Sequence, residues 1–133
     1  MRQRTAIPII DIFAGPGGLG GGFSAYTDER GKQPFKIALS IEKETVAHQT
    51  LTLRSFFRQF RPNEAPDAYY RRLERRLTTP DLFDLFPEQA AAARTEAWRA
   101  TLGDEVEAPL PELRRRVREM LADRYSGVCH GAR

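Results

Sequence analysis

Cysteine is almost missing: Cys129 is the only one in 133 residues. An internal disulfide is thereby excluded, and the usage fits a reducing compartment. Histidine is nearly as scarce, with His48 and His130 alone, so a zinc-type site would run short of imidazole and thiolate ligands. Long apolar runs are lacking as well. The start, MRQRTAIPIIDIFAG, imitates a secretion signal by placing basic residues before isoleucines, but Asp11 interrupts the run. Nothing reaches the roughly 20 apolar residues needed to cross a bilayer. Nor does one sign of charge dominate. Net charge is +3; residues 1–60 hold eight Lys/Arg against five Asp/Glu, and residues 61–133 hold thirteen of each. The arginine-rich second part neutralises itself and lacks the strongly basic footprint of a dedicated nucleic-acid binder. The expectation is a cytoplasmic protein with no membrane association.

What is present divides in two. IPIIDIF (7–13) is a short, nearly continuous apolar run, suited to a strand buried on both faces of a parallel sheet, with Pro8 near its start. A glycine-rich stretch follows, then a short helix ending before Gly31. FKIALSIE (35–42) reads as a second strand, and TVAHQTLTLRSFFRQF (45–60) as a helix with Val46, Leu53, Phe57 and Phe60 on one stripe. Arg61-Pro62 stops it. Residues 1–60 therefore predict the opening βαβα of a doubly wound α/β domain.

From 61 onward the period is helical, and no strand is expected. DAYYRRLERRL (67–77) carries Tyr69, Leu73 and Leu77 at fourfold spacing; Thr79 is placed as a cap ahead of Pro80. Residues 88–103 form an alanine-rich helix with Trp98 and Leu102 on one face and Gly103 as its stop. Residues 110–127 form another, carrying Leu113, Val117 and Leu121. Residues 61–133 read as a helical insertion or an incomplete continuation of the same domain. Two strands do not make a stable sheet, so strand partners are missing.

The chemistry gathers in DIFAGPGGLGGGF (11–23), where six of thirteen residues are glycine. GPGGLG (15–20) has the form G-x-G-x-x-G between a strand and a helix, and Glu42 follows twenty-two residues after Gly20 at the tip of the second strand. The first glycine permits a sharp turn, the next lets a ligand approach the backbone, and the acid accepts hydrogen bonds from ribose hydroxyls. The pattern points to an adenosine-bearing ligand. Asp11, placed on the same side as Phe13, would repel a dinucleotide's pyrophosphate and tolerate a sulfonium or ammonium. A bond from Asp11 to the loop's own backbone, and a core role for Phe13, are the alternatives.

DIFAGPGGLGGGF resembles the first motif of the DNA cytosine-5 methyltransferases, with its Asp-hydrophobic-Phe-Ala-Gly-x-Gly-Gly core. SIEKETVAHQTL resembles their second motif. The resemblance covers about residues 7–60. It implies a Rossmann-like fold and an S-adenosyl-L-methionine site lined by Phe13, Ala14, Gly15, Pro16, Gly17, Gly18 and Leu19, largely through backbone. Glu42 would hold the ribose, and Lys43 occupies the position that often stacks near adenine. Double-stranded DNA would be the partner of the intact enzyme, which methylates carbon 5 of a flipped-out cytosine.

The family's Pro-Cys nucleophile and Glu-Asn-Val motif do not occur in this sequence. Cys129, in GVCHGAR, follows valine, and nothing around it predicts a depressed pKa. No residue is assigned a catalytic role, and none a metal. The expectation is an N-terminal portion, inactive alone, with the catalytic loop supplied by a C-terminal part or a second chain. Restriction-modification is the family's common setting. A non-catalytic adenosine-binding docking module and a nicotinamide oxidoreductase fragment are the rival readings. The arginines beside Tyr69 and Tyr70 (Arg71, Arg72, Arg75, Arg76) read first as a solvated face paired with Asp67 and Glu74. Phosphate contact and protein docking are the other two options.

Overall fold

The computed structural model describes residues 6–125. Its chain runs β1 (Ile7–Asp11), α1 (Gly18–Ala25), β2 (Phe35–Glu42), α2 (Thr45–Arg58), α3 (Asp67–Leu73), α4 (Thr79–Leu85), α5 (Pro87–Glu96), β3 (Ala97–Arg99) and α6 (Leu110–Tyr125). The strands form a parallel α/β sheet in the order β1-β2-β3.

β2 is central and is buried continuously from Ile37 to Ile41. A continuous apolar run suits it because helices cover both faces. The register shifts between Ile9 and Ile10, which pair with Ile37 and Leu39 and leave Ala38 as the extra residue. Such a bulge reverses the inside–outside alternation. Ile37 thus meets Gly20 of α1, while Leu39 and Ile41 pack with Trp98, Leu113, Val117 and Met120 in the cluster that seats α6. Gly20 is buried against this strand: a Cβ there would lie 3.4 Å from Ile37 Cδ1.

The absence of strands after residue 61 is corrected by β3. Residues 97–99 leave the alanine helix and pair with Ser40–Glu42. Alanine propensity and an i, i+4 Trp98/Leu102 pair imitate a continuing helix; ladder bonds to the exposed edge of β2 and burial of Trp98 override them. His48 fixes the junction, its Nε2 lying 3.0 Å from the Ala97 carbonyl oxygen.

Other boundaries move for local reasons. β1 stops at Asp11, not at residue 13, because the chain leaves the ladder for the glycine turn. α1 ends at Ala25, well before Gly31; the Asp28 carboxylate instead accepts the amides of Arg30 and Lys32 and holds a turn. α3 ends at Leu73, since Arg75 takes a left-handed φ of 60°. The cap of α4 is Thr78, one residue earlier than expected, its hydroxyl accepting from the Asp81 amide.

The α2 stripe also shifts. Its buried residues are Leu51, Thr52, Ser55 and Phe56, whereas Val46 and Phe57 are exposed. Phe56 centres an aromatic cluster with Phe60, Phe83 and Phe86 that binds α2 to α4 and α5. At the far end of the helix pair, Arg58 and Glu96 form a largely buried ion pair at 2.5 Å, with Gln59 donating to the same carboxylate.

Phe56→Ala is expected to destabilise the chain by about 3–5 kcal/mol, because a fully buried ring leaves a cavity its neighbours cannot fill. Urea unfolding checks this; Phe57→Ala, at a half-exposed neighbour, should cost markedly less.

Candidate functional site

In a parallel sheet the strand tips share one edge, so the turns after β1, β2 and β3 lie together. The glycine turn is docked on that edge. Ala14 N–H extends the ladder by donating to the Ile41 carbonyl at 3.0 Å, and the Ala14 side chain packs with Leu51 and Ala97. Gly15 and Gly17 have φ of 54° and 92°, both in the left-handed region. At Gly17 a second constraint applies, since a Cβ would come within 3.0 Å of Leu51 Cδ1. Only glycine meets both demands.

Glu42 stands at the mouth of this turn. Its Oε2 accepts from Gly15 N–H at 2.7 Å, and its Oε1 from Glu44 N–H at 2.8 Å. Its main-chain carbonyl accepts from Ala100 N–H at 3.2 Å. One residue therefore ties together the turns after all three strands. The bond from Glu44 N–H, reinforced by that from Gly15, holds the Glu42 carboxyl below its ordinary range against a smaller opposing desolvation. Each carboxylate oxygen carries two acceptor sites, so both retain room for a ligand hydroxyl. Glu44 caps α2 by accepting from Ala47 N–H at 2.7 Å, and this bond lowers its pKa likewise.

The remaining expected residues fall into two groups. Asp11 is half-buried, its Oδ2 close to Gly20, and among the described residues its carboxylate has no hydrogen-bond or ion-pair partner. A bond from Asp11 to the loop is therefore not formed. Phe13 is 79% exposed and Leu19 68% exposed, which removes the core alternative for Phe13. Since the strand has ended at Asp11, strand alternation does not place Asp11 and Phe13 on a common side. Pro16, Gly18 and Lys43 are exposed. Space for a Cβ at Gly15 and Gly18 is open.

The amides of Ala14, Gly15 and Gly17 are all used within the fold, by the Ile41 carbonyl, the Glu42 carboxylate and the Ala14 carbonyl in turn. The backbone contribution expected from these three is thus limited to their carbonyls and Cα surfaces, while the amides of Gly18 and Leu19, in the first turn of α1, have no acceptor within the helix. Neither the cavity beside α6 nor the one between α2, α4 and α5 includes the loop among its lining residues.

No protein-family model, curated protein or solved structure matches the chain.

Sequence reasoning overlooked Glu44 and the turn after β3. Asp104 in that turn accepts the amides of Val106 and Glu107, and Glu107 accepts from Thr101 N–H. The signal available was an acid beside Gly103; reading 88–103 as one helix hid it. His48 serves as a packing link. Cys129 and His130 lie outside the described residues. Among the described residues no three His, Cys, Asp or Glu side chains gather as a metal site, and no helix is long and apolar enough to cross a membrane.

Because the Glu42 pKa is depressed on folding, its two amide bonds are fully present above the ordinary carboxylate value of 4.5 and are lost as pH falls through the lower folded value. The Gly15 and Glu44 amide resonances should titrate together with a midpoint below 4.5. A midpoint at or above that value, or separate midpoints, would show that Glu42 does not join the two turns.

Proposed function

We propose that this chain is the S-adenosyl-L-methionine-binding portion of a DNA cytosine-5 methyltransferase. One observation carries the reading: an acid at the tip of the central strand sits on the mouth of a glycine turn, 2.7 Å from Gly15 N–H, with acceptor capacity to spare. The turn, acid and first-helix order match that family's first two motifs over residues 7–60. The β1-β2-β3 order with α1 and α6 packed on β2 agrees with one half of a Rossmann-like sheet.

The residues present suit this cofactor. Glu42 would receive the ribose hydroxyls, and the open ring of Phe13 would cover an apolar part of the ligand. The unpartnered Asp11 supplies negative charge close to the turn, which favours a sulfonium and an ammonium and opposes a pyrophosphate. This favours S-adenosyl-L-methionine over a nicotinamide dinucleotide. Bound there, the cofactor would supply an electrophilic methyl group. The nucleophile acting on cytosine is not among this chain's assigned residues, so DNA, the reducing cytoplasm and a chain segment carrying the Pro-Cys loop complete the proposal. A docking module that keeps the adenosine pocket is the second reading; the open turn serves it equally, and capture of a chain with the Pro-Cys loop decides for the enzyme.

Calorimetry with S-adenosyl-L-methionine and its demethylated product tests the assignment. Glu42→Ala should abolish binding of both. Asp11→Asn, which breaks no hydrogen bond, should weaken the sulfonium-bearing ligand about tenfold, as loss of about 1.4 kcal/mol would, and weaken the uncharged thioether less. Competition by NAD equal to that of the product would overturn the reading.

A further inference from the structure

A groove of about 910 Å³ lies between α2, the turn after α3, α4 and α5. Val46 and Leu53, two members of the stripe expected to be core, line it with Phe83. Three arginines line it, Arg72, Arg75 and Arg94, against one acidic residue, Asp84; Arg94 also borders a second cavity beside α6.

Arg58, Arg76, Arg115 and Arg116 all pair with glutamates, whereas Arg72, Arg75 and Arg94 form no ion pair among the described residues. Arg72 is positioned by its Nε, which donates to Thr79 Oγ1 at 2.6 Å and leaves both terminal nitrogens available. The Arg94 guanidinium lies over the Phe83 ring, 5.1 Å from its centroid, with its N–H edge unused. Arg75 holds a left-handed backbone that glycine or asparagine would adopt at lower cost. An unpaired cation held at a strained backbone position on the lining of a groove, with two further arginines on the same lining, suits an anion.

We propose that this groove binds a phosphate ester. The guanidinium groups take the anionic oxygens, for which their forked donors are suited, and the apolar wall of Val46, Leu53 and Phe83 takes the attached organic group. The phosphate belongs either to a free nucleotide or to the backbone of a nucleic-acid strand. The site is independent of the adenosine reading: it uses Val46, Thr50 and Leu53 of α2, whereas the glycine turn meets Leu51 and Arg54.

The test titrates the full chain with uridine monophosphate and with a labelled oligothymidylate, probes that carry no adenosine. At least one should bind saturably, and the affinity should fall tenfold or more in Arg72→Ala/Arg94→Ala and in Arg75→Gly. Arg75→Gly relieves the backbone, so its loss of binding does not reflect misfolding. Arg114→Ala and Arg118→Ala, at exposed positions on α6, should leave binding unchanged, and all variants should retain S-adenosyl-L-methionine affinity. One-to-one binding of the mononucleotide assigns a free nucleotide. Binding of the oligonucleotide alone, weakening linearly with salt on logarithmic axes, assigns a strand. Binding of neither probe by the folded chain, binding unaffected in the groove variants, or capture of an acidic peptide in place of both would overturn the proposal.

Discussion

The carboxylate of Glu42 is the constraint on which the arrangement depends. It stands where the central strand ends, and backbone groups from three different turns converge on this residue. Gly15 N–H and Glu44 N–H reach the side chain, and Ala100 N–H reaches the main chain. The acid thus joins the glycine turn to the start of α2, while the main chain of the same residue holds the end of β3. Backbone amides in tight turns require acceptors, and a carboxylate supplies more of them than any neutral side chain. The same capacity lets the acid serve a ligand while it serves the fold.

Around that point the molecule is organised by how closely backbone can approach backbone. Gly17 abuts Leu51 of α2, and Gly20 abuts Ile37 of β2. Glycines that look like a ligand signature are therefore also packing residues. Their weak helix propensity is offset because α1 is held by its contact with the sheet, not by its own turns. The Phe56 cluster and the buried Arg58–Glu96 pair do the corresponding job for the helices that carry the chain from β2 to β3. Those helices also leave a basic groove on the side of α2 away from the glycine turn, so one helix separates two surfaces of different chemistry.

The first sixty residues were readable because their signals are local. An apolar run bounded by glycine, and an acid at a strand tip, each rest on neighbours in sequence. Positions failed where the decisive partner was distant. Leu51 and Phe56 replaced Val46 and Phe57 on the buried side of α2 because α5 and β3, not a sequence period, determine which side faces inward. Trp98 looked helical until β2 offered it a ladder and α6 a cover. The arginines of residues 71–76 read first as a solvated face within pairing reach of Asp67 and Glu74, yet among the ion pairs only Arg76 finds Glu74, while Arg72 turns to Thr79.

By itself, the sequence determined that a glycine turn follows the first strand, that Glu42 ends the second, and that no disulfide can be internal. Backbone sterics, strand periodicity and atom inventory act over a few residues and need no three-dimensional knowledge. Only the tertiary structure decided that Glu42 closes on Gly15, that Asp11 is left without a partner, that residues 97–99 complete the sheet, and that Arg94 shares a groove with Arg72 and Arg75. Those outcomes depend on which groups are brought within hydrogen-bonding or Coulombic range by chain segments tens of residues apart, and packing settles that range.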